Sequence, residues 1–218
     1  ALLTYPGAFF FYAPFPMSLA LLLVLLSYRL ARRERWLTAA AVGFLSGLAH
    51  STVIPLTILL FITAYTVWKK AGGKFRWMSL LAPLAPLSGV GGVVAWRAWR
   101  GFPPLGQVLG DFWGSSLFNP IAALGQLVGS IESGNGMSIL KAIIIIIGAT
   151  SIIWLLVRRH YALGLYQTGL LLYLVSFTVP DHPLGSFIRY FLLSFPVFMV
   201  LGYWFKSHRR LALVGYTL

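Results

Sequence analysis

The residues of this chain that could do chemistry are few, and most of them are cations. The 218 residues contain 17 lysines and arginines, four histidines and four acids, and the formal net charge is +13. Arg189, followed by Tyr190, begins a long apolar stretch. An arginine in that position suits a phosphate group, because its planar fork makes two parallel charge-assisted hydrogen bonds. The alternative is an arginine that reaches lipid headgroups or pairs with Asp181.

His50 interrupts another apolar stretch and has two interpretations. An ionisable residue at membrane depth is a candidate functional residue. A histidine that ends a helix by bonding to Ser51, Thr52 or the backbone explains the position equally well. The usual pKa of histidine is about 6.5, so a permanent positive charge cannot be assumed at His50.

Acid–base and metal chemistry have little support in the sequence. General base catalysis often uses a carboxylate, and carboxylates often hold a catalytic metal, but Asp111, Glu132 and Asp181 lie far apart in the sequence. The adjacent Asp181 and His182 are a weak signal for a metal or acid–base site. The chain has no cysteine, which excludes disulfides and thiolate chemistry. Motifs of ATP-driven transporters, zinc proteases and hydrolases are absent. We expect no cofactor in this stretch, and the metal dependence of a complete enzyme stays open.

The elements that must position these residues are apolar helices in a membrane. The chain is 59% hydrophobic and 10% charged, with a mean hydropathy of +0.84, whereas soluble domains carry about 25% charged residues. The basic residues cluster in short segments between apolar runs, which favours the positive-inside rule over nucleic-acid binding. Thirteen of the 17 basic residues lie in four such segments, and we expect these segments to be cytoplasmic.

The sequence predicts an all-α, polytopic transmembrane bundle of about seven spans in a single domain, 1–218. Residues 36–49 and a third helix that runs to residue 68 are short for full spans, so they form a hairpin with its apex near His50. Gly43 and Gly47 form a GxxxG motif, which permits close helix contact. The other predicted spans are 14–31, 77–96, 138–157, 161–179 and 187–205.

Residues 99–135 form the one long region that is too polar to span. Apolar residues recur in it at helical spacing on both sides of Asn119–Pro120, which predicts two amphipathic helices in the outer interface. We expect 99–135 and 180–187 on the non-cytoplasmic side of a multi-pass protein of the cell membrane.

Two segments of the chain, residues 5–21 and residues 186–196, resemble the PIG-V-like GPI mannosyltransferases, which are polytopic glycosyltransferases of the GT-C class. Met17 stands where the family usually has a glutamate, so any role of that acid does not carry over. The second segment is similar to the family pattern S-x-x-R-Y-x-x-x-x-F-P. The matching residues are Tyr5, Pro6, Ala8, Phe9, Phe10, Ala13, Phe15, Ser18, Leu19 and Leu21 in the first segment and Ser186, Arg189, Tyr190, Phe195 and Pro196 in the second.

The resemblance implies the C-terminal part of a membrane enzyme that transfers a sugar, with mannose expected, from a polyprenyl-phosphate donor to a lipid or glycan acceptor outside. It implies substrate-binding roles for Arg189, Tyr190, His50 and Ser18, and His50 stands where the family often has an arginine. The catalytic acid of such enzymes lies in the first outer loop, which we expect upstream of Ala1. The expected partners are membrane lipid and the donor, and no nucleic acid. The alternatives are a non-enzymatic transporter or assembly subunit for lipid-linked glycans, and a basic membrane scaffold.

Overall fold

A computed structural model describes residues 16–71, 77–113, 119–176 and 184–207, and the regular structure of these residues is entirely helical. The all-α class is therefore confirmed. Most of the opening aromatic segment, residues 4–15, lies outside the described residues. The α-helices are α1 Met17–Arg32, α2 Trp36–Ala49, α3 Leu56–Lys70, α4 Met78–Trp99, α5 Leu105–Trp113, α6 Pro120–Glu132, α7 Gly136–Val157, α8 Tyr161–Leu174, α9 Phe187–Tyr190 and α10 Phe195–Ser207, and short 3-10 turns cover Ser51–Val53 and Phe191–Leu193.

Three helical segments of the described chain are long and apolar enough to cross a membrane. They are Ser51–Lys70 with 20 residues, and Met78–Trp99 and Gly136–Val157 with 22 residues each. At 1.5 Å per residue these lengths reach about 30 Å, the thickness of the hydrocarbon layer. A bent pair, Phe187–Leu193 with Phe195–Lys206, makes a fourth candidate. The chain is thus a helical protein with membrane-spanning character, and the number of about seven spans stays a prediction.

Helix α7 shows how these helices pack, because most of its polar residues face inward. Ser138, Lys141, Gly148 and Ser151 are buried along one side. The isoleucines of the opposite side are exposed, and Ile146 and Ile153 each expose 64% of their surface. Together with Ile144 and Leu155, these buried residues recur every three or four positions, so they form one stripe along the helix. An apolar outside and a polar inside suit a helix whose solvent is lipid.

Helices α2 and α4 make the closest contact in the bundle. The GxxxG motif of α2 lies against α4, where a Cβ on Gly47 would overlap the carbonyl oxygen of Pro86. The relation is reciprocal, since a Cβ on Gly89 of α4 would overlap the carbonyl oxygen of Phe44. The predicted close contact at this motif is confirmed, and its partner is α4.

The predicted continuous helix 187–205 was wrong. The chain forms α9, a 3-10 turn and then α10, and the two halves meet at Ser194 with a bend of 76°. Pro196 explains the break, because it has no N–H to donate and its ring would clash with the carbonyl of Leu192 in a straight helix. Helix α8 stabilises the break: the Tyr166 hydroxyl donates to the Leu193 carbonyl at 2.8 Å. The predicted helix 161–179 is also shorter, because α8 ends at Leu174.

The region between α4 and α7 contains the two predicted helices, α5 and α6. Asn119 caps α6 by accepting a hydrogen bond from the Ala122 N–H at 3.1 Å, and Pro120 occupies the first turn. Leu127 is buried against the bundle, whereas Ile121 on another face of α6 exposes 84% of its surface. An exposed apolar face is typical of a helix that lies in the interface, although the position of α6 relative to a membrane stays a prediction.

Candidate functional site

The turn between α2 and α3 lies beside the short helix α9, and this brings three of the four predicted site residues together. The rings of His50 and Tyr190 have their centroids 5.1 Å apart and are tilted by 52°. Arg189 adjoins Tyr190 on α9. All three side chains are partly exposed, so a ligand could reach them.

His50 both ends α2 and begins the turn that leads to α3. Its backbone is extended, with φ −165° and ψ 141°. Its Nδ1 accepts the Thr52 N–H at 3.2 Å and lies 2.9 Å from the Thr52 hydroxyl. An amide N–H can only donate, so Nδ1 carries no proton and the neutral ring carries its proton on Nε2. One interpretation of the sequence was a histidine that ends a helix and bonds to Ser51, Thr52 or the backbone. The structure contains such a bond, from the Thr52 N–H to His50.

The charge state of His50 follows from its surroundings. His50 lies between α2 and the candidate span Ser51–Lys70 and belongs to neither. Burial lowers the pKa of His50 to about 4, and the positive charge of Arg189 contributes in the same direction. At neutral pH the imidazole is therefore an uncharged donor of one Nε2–H hydrogen bond beside a permanent cation.

The guanidinium of Arg189 is held in place by neighbours on its own segment. One terminal nitrogen donates to the Tyr190 hydroxyl at 2.7 Å and to the Ser186 hydroxyl at 3.2 Å. The guanidinium carbon also lies 4.6 Å from the centroid of the Tyr190 ring, within the range of a cation–π contact. These contacts restrict the orientation of the side chain and keep its charge near His50.

Helix α8 is the third element that contributes a side chain to this group of residues. Tyr173, at the end of α8, donates from its hydroxyl to the Ser51 hydroxyl at 3.3 Å. The described residues therefore place a fixed cation, a neutral imidazole and several hydroxyls around one end of the bundle. We call His50, Ser51, Tyr173, Arg189 and Tyr190 the Arg189 cluster. A cation surrounded by hydrogen-bond donors suits an anion such as a phosphate.

Ser18, the fourth predicted site residue, takes no part in the contacts of this cluster. It occupies the first turn of α1 with an exposed side chain, and none of the contacts that join the Arg189 cluster involves it. Its neighbour Met17 is only 1% exposed. A glutamate at that position would lose its hydration in an apolar core, which accounts for the methionine.

The acids of the described residues do not form a metal site. Glu34, Asp111 and Glu132 are exposed, and within the described ranges no group of three or more histidine, cysteine or acidic side chains is placed to hold a metal. Asp181 and His182, the weak candidate pair, lie outside the described residues.

Sequence reasoning missed Lys141, which is only 7% exposed although it lies within the candidate span Gly136–Val157. The signal that could have identified it is its spacing, because Lys141 follows Ser138 by three residues on the inward stripe of α7. A lysine on the inner face of a spanning helix is a candidate functional residue.

Comparison with known proteins identifies no relative of this chain. No protein-family model matches the chain, and neither a curated protein nor a solved structure is significantly similar to it.

Proposed function

We propose that this chain is part of an integral membrane glycosyltransferase that moves a sugar, with mannose expected, from a polyprenyl-phosphate donor to a lipid or glycan acceptor on the non-cytoplasmic side. In this proposal the Arg189 cluster binds the phosphate of the donor. The observation that carries it is the contact between His50 and the Arg189–Tyr190 pair, which come from distant parts of the sequence.

The chemistry of the cluster supports a phosphate rather than an uncharged ligand. Arg189 keeps its charge at any physiological pH, and its fork can hold two oxygens of one phosphate. His50 contributes an Nε2–H without a second charge. Tyr190 and Tyr173 add hydroxyls that can donate or accept. Reduced solvent access strengthens the attraction between a guanidinium and a phosphate relative to water.

The test is sugar transfer by variants of Arg189 in the full-length protein. Arg189→Ala should lower transfer by roughly 10- to 100-fold, the equivalent of losing a charged hydrogen bond of about 1.5–3 kcal/mol. Arg189→Lys should be intermediate, because it keeps the charge and loses the fork. Excess donor should partly restore the rate of Arg189→Ala, because donor binding is what that variant loses.

Arg97 offers a matched control. It also lies near a helix end and beside an aromatic ring, 5.4 Å from the centroid of Phe102. Arg97→Ala should leave donor affinity unchanged, with expression and thermal stability measured for both variants. Wild-type donor affinity and turnover in Arg189→Ala would refute the proposed role and make Arg189 a headgroup anchor.

The alternative is a membrane transporter for lipid-linked glycans, and the broken helix favours it. Discontinuous spans line substrate sites in many transporters, where unwound backbone contacts the substrate. The bend of 76° at Ser194 is such a discontinuity. Binding of a polyprenyl phosphate without sugar transfer, together with its movement between the leaflets of a vesicle, would favour this function.

A further inference from the structure

Helix α8 contacts both of the chain segments that supply the Arg189 cluster. One segment is the turn between α2 and α3, which carries His50 and Ser51, and the other is α9, which carries Arg189 and Tyr190. The two segments meet at the rings of His50 and Tyr190, whose centroids lie 5.1 Å apart. A single ring contact contributes little free energy. Other interactions must therefore hold the two segments in place beside each other.

The second half of α8 packs on the turn between α2 and α3. The Tyr173 hydroxyl donates to the Ser51 hydroxyl at 3.3 Å. One turn earlier the two helices approach closely, because a Cβ on Gly169 would lie 2.7 Å from Cδ1 of Ile58 and 3.6 Å from the Cβ of Pro55. Pro55 and Ile58 stand at the start of α3. These contacts fix the turn against α8.

The middle of α8 holds the break between α9 and α10. The Tyr166 hydroxyl donates to the Leu193 carbonyl at 2.8 Å, and the Gln167 side-chain nitrogen donates to the Ser194 hydroxyl at 3.2 Å. None of these four residues exposes more than 1% of its surface. Water therefore does not compete for the two hydrogen bonds, which are stronger in such an interior than in water. The Tyr166 ring also packs against Phe195, with the centroids 5.3 Å apart.

The anchored break lies close to Arg189. Arg189 stands only four residues before Leu193, and α9 and the 3-10 turn that follows it connect the two. Such a short helical connection spans about 6–8 Å, so the position of Leu193 determines where Arg189 lies. Tyr166 and Tyr173 are seven residues apart, which places them two turns apart on one face of α8. This one face therefore holds both segments of the cluster.

We infer that the Tyr166 hydroxyl is a positioning group for the Arg189 cluster. Its hydrogen bond to the Leu193 carbonyl fixes α9 so that Arg189 and Tyr190 lie beside His50. Tyr166 itself is buried in the bundle and acts through these residues rather than on a ligand. Its effect on donor binding rests on the proposed function, whereas its effect on the arrangement of the cluster does not.

The first experiment measures the arrangement of the cluster without any substrate. The chain has no cysteine, so His50→Cys combined with Tyr190→Cys places two thiols where the two rings meet. A short bifunctional methanethiosulfonate joins the thiols in the purified protein, and intact mass measures the rate. Adding Tyr166→Phe should slow this cross-linking several-fold. The phenylalanine keeps the ring that packs against Phe195 and removes only the hydroxyl.

Tyr161→Phe is the matched control, because Tyr161 begins the same helix and exposes 51% of its surface. It should leave the rate of cross-linking unchanged. Thermal unfolding of each variant separates positioning from stability. A Tyr166 hydroxyl that only stabilises the fold would change the Tm and leave cross-linking of the folded protein unchanged. That result, or an equally slowed reaction in Tyr161→Phe, would overturn the inference.

The second experiment measures sugar transfer by the full-length protein with the natural residues at positions 50 and 190. Tyr166→Phe should raise the KM for the polyprenyl-phosphate donor by about 2- to 10-fold, the effect of losing one hydrogen bond, and change kcat less. In Arg189→Ala the same change should have no further effect, because the group that Tyr166 positions is gone. Full additivity of the two changes would refute positioning of Arg189 by Tyr166. Slower cross-linking with an unchanged KM would support the positioning and count against donor binding by the cluster.

Discussion

At the scale of single residues, one member of the Arg189 cluster carries the positive charge and another offers a hydrogen bond without a charge. Arg189 supplies a positive charge, and burial together with that charge keeps the adjacent His50 neutral. The Thr52 N–H donates to the unprotonated Nδ1 of this neutral ring. Two cations side by side would repel each other in a site of reduced dielectric. A neutral histidine avoids this repulsion and still offers an Nε2–H to a ligand.

The neutral state of His50 predicts a pH dependence of stability. Below about pH 6.5 the unfolded chain protonates this histidine, whereas the folded protein does so only near pH 4. The unfolded state therefore binds more protons in this window, and stability falls as the pH falls from about 6.5 to about 4. The slope is at most about 1.4 kcal/mol per pH unit, and the partial exposure of His50 makes it smaller.

The variant His50→Asn isolates the contribution of His50 to this pH dependence. An asparagine does not titrate, and its side-chain oxygen can still accept the Thr52 N–H. Thermal unfolding between pH 5 and pH 7.5 should show a smaller loss of Tm at low pH in His50→Asn than in the wild type. His160→Asn, at an exposed position before α8, should behave as the wild type. Identical pH profiles for His50→Asn and the wild type would contradict the assigned charge state.

The sequence singled out His50 and Arg189, and the family resemblance gave both a substrate-binding role, but neither predicted the contact between the His50 and Tyr190 rings. Each stands out locally as an ionisable group beside apolar residues. Their proximity depends on how the turn after α2 packs beside α9, and no local pattern encodes that packing. Nothing in the sequence distinguished Tyr173 as a member of the cluster, because tyrosines near helix ends are common in membrane proteins.

At the scale of elements, the contact between α2 and α4 depends on glycine. Gly47→Ala should destabilise the protein by about 1–3 kcal/mol, because the new Cβ would overlap the Pro86 carbonyl and force the two backbones apart. Gly89→Ala should do the same from the α4 side, where Phe44 supplies the carbonyl. Thermal unfolding in one detergent measures both changes.

Gly91 is the matched control for this contact. It lies two residues from Gly89 on the same helix, and a Cβ there would meet nothing within 4 Å. Gly91→Ala should leave stability unchanged or raise it by up to about 1 kcal/mol, because alanine is the better helix former. A loss in Gly91→Ala as large as that in Gly47→Ala would show that the effect is not helix contact.

The sequence predicted α2 and the two helices between α4 and α7, but it missed the break at Ser194. The apolar composition of residues 187–205 favours one continuous helix, and Pro196 near its middle is also part of the family-like pattern. The decisive interactions come from α8, where Tyr166 and Gln167 bond to Leu193 and Ser194. A proline indicates that a helix can break, whereas the packing of neighbouring helices determines the angle.

At the scale of the whole molecule, the Arg189 cluster lies beside the start of α3, and Lys69 and Lys70 lie in its last turn. If Ser51–Lys70 crosses the membrane, the cluster and these two lysines lie on opposite sides of it. The bias of basic residues predicts that the Lys70 end is cytoplasmic. The composition of the chain was enough to predict membrane helices. The number of spans could not be counted from composition, because short helices such as α2 can cross a thinned bilayer or end within it.

The orientation can be tested by single-cysteine labelling, since the chain contains no cysteine of its own. Lys70→Cys and Asp111→Cys place thiols at exposed positions beyond the two ends of α4. The 22 residues of α4 extend about 33 Å, enough to cross the hydrocarbon layer. An impermeant maleimide should therefore label position 111 from outside in intact cells and label position 70 only after permeabilisation. Outside labelling at 70 with protection at 111 would reverse the orientation, and labelling of both from one side would show that α4 does not cross.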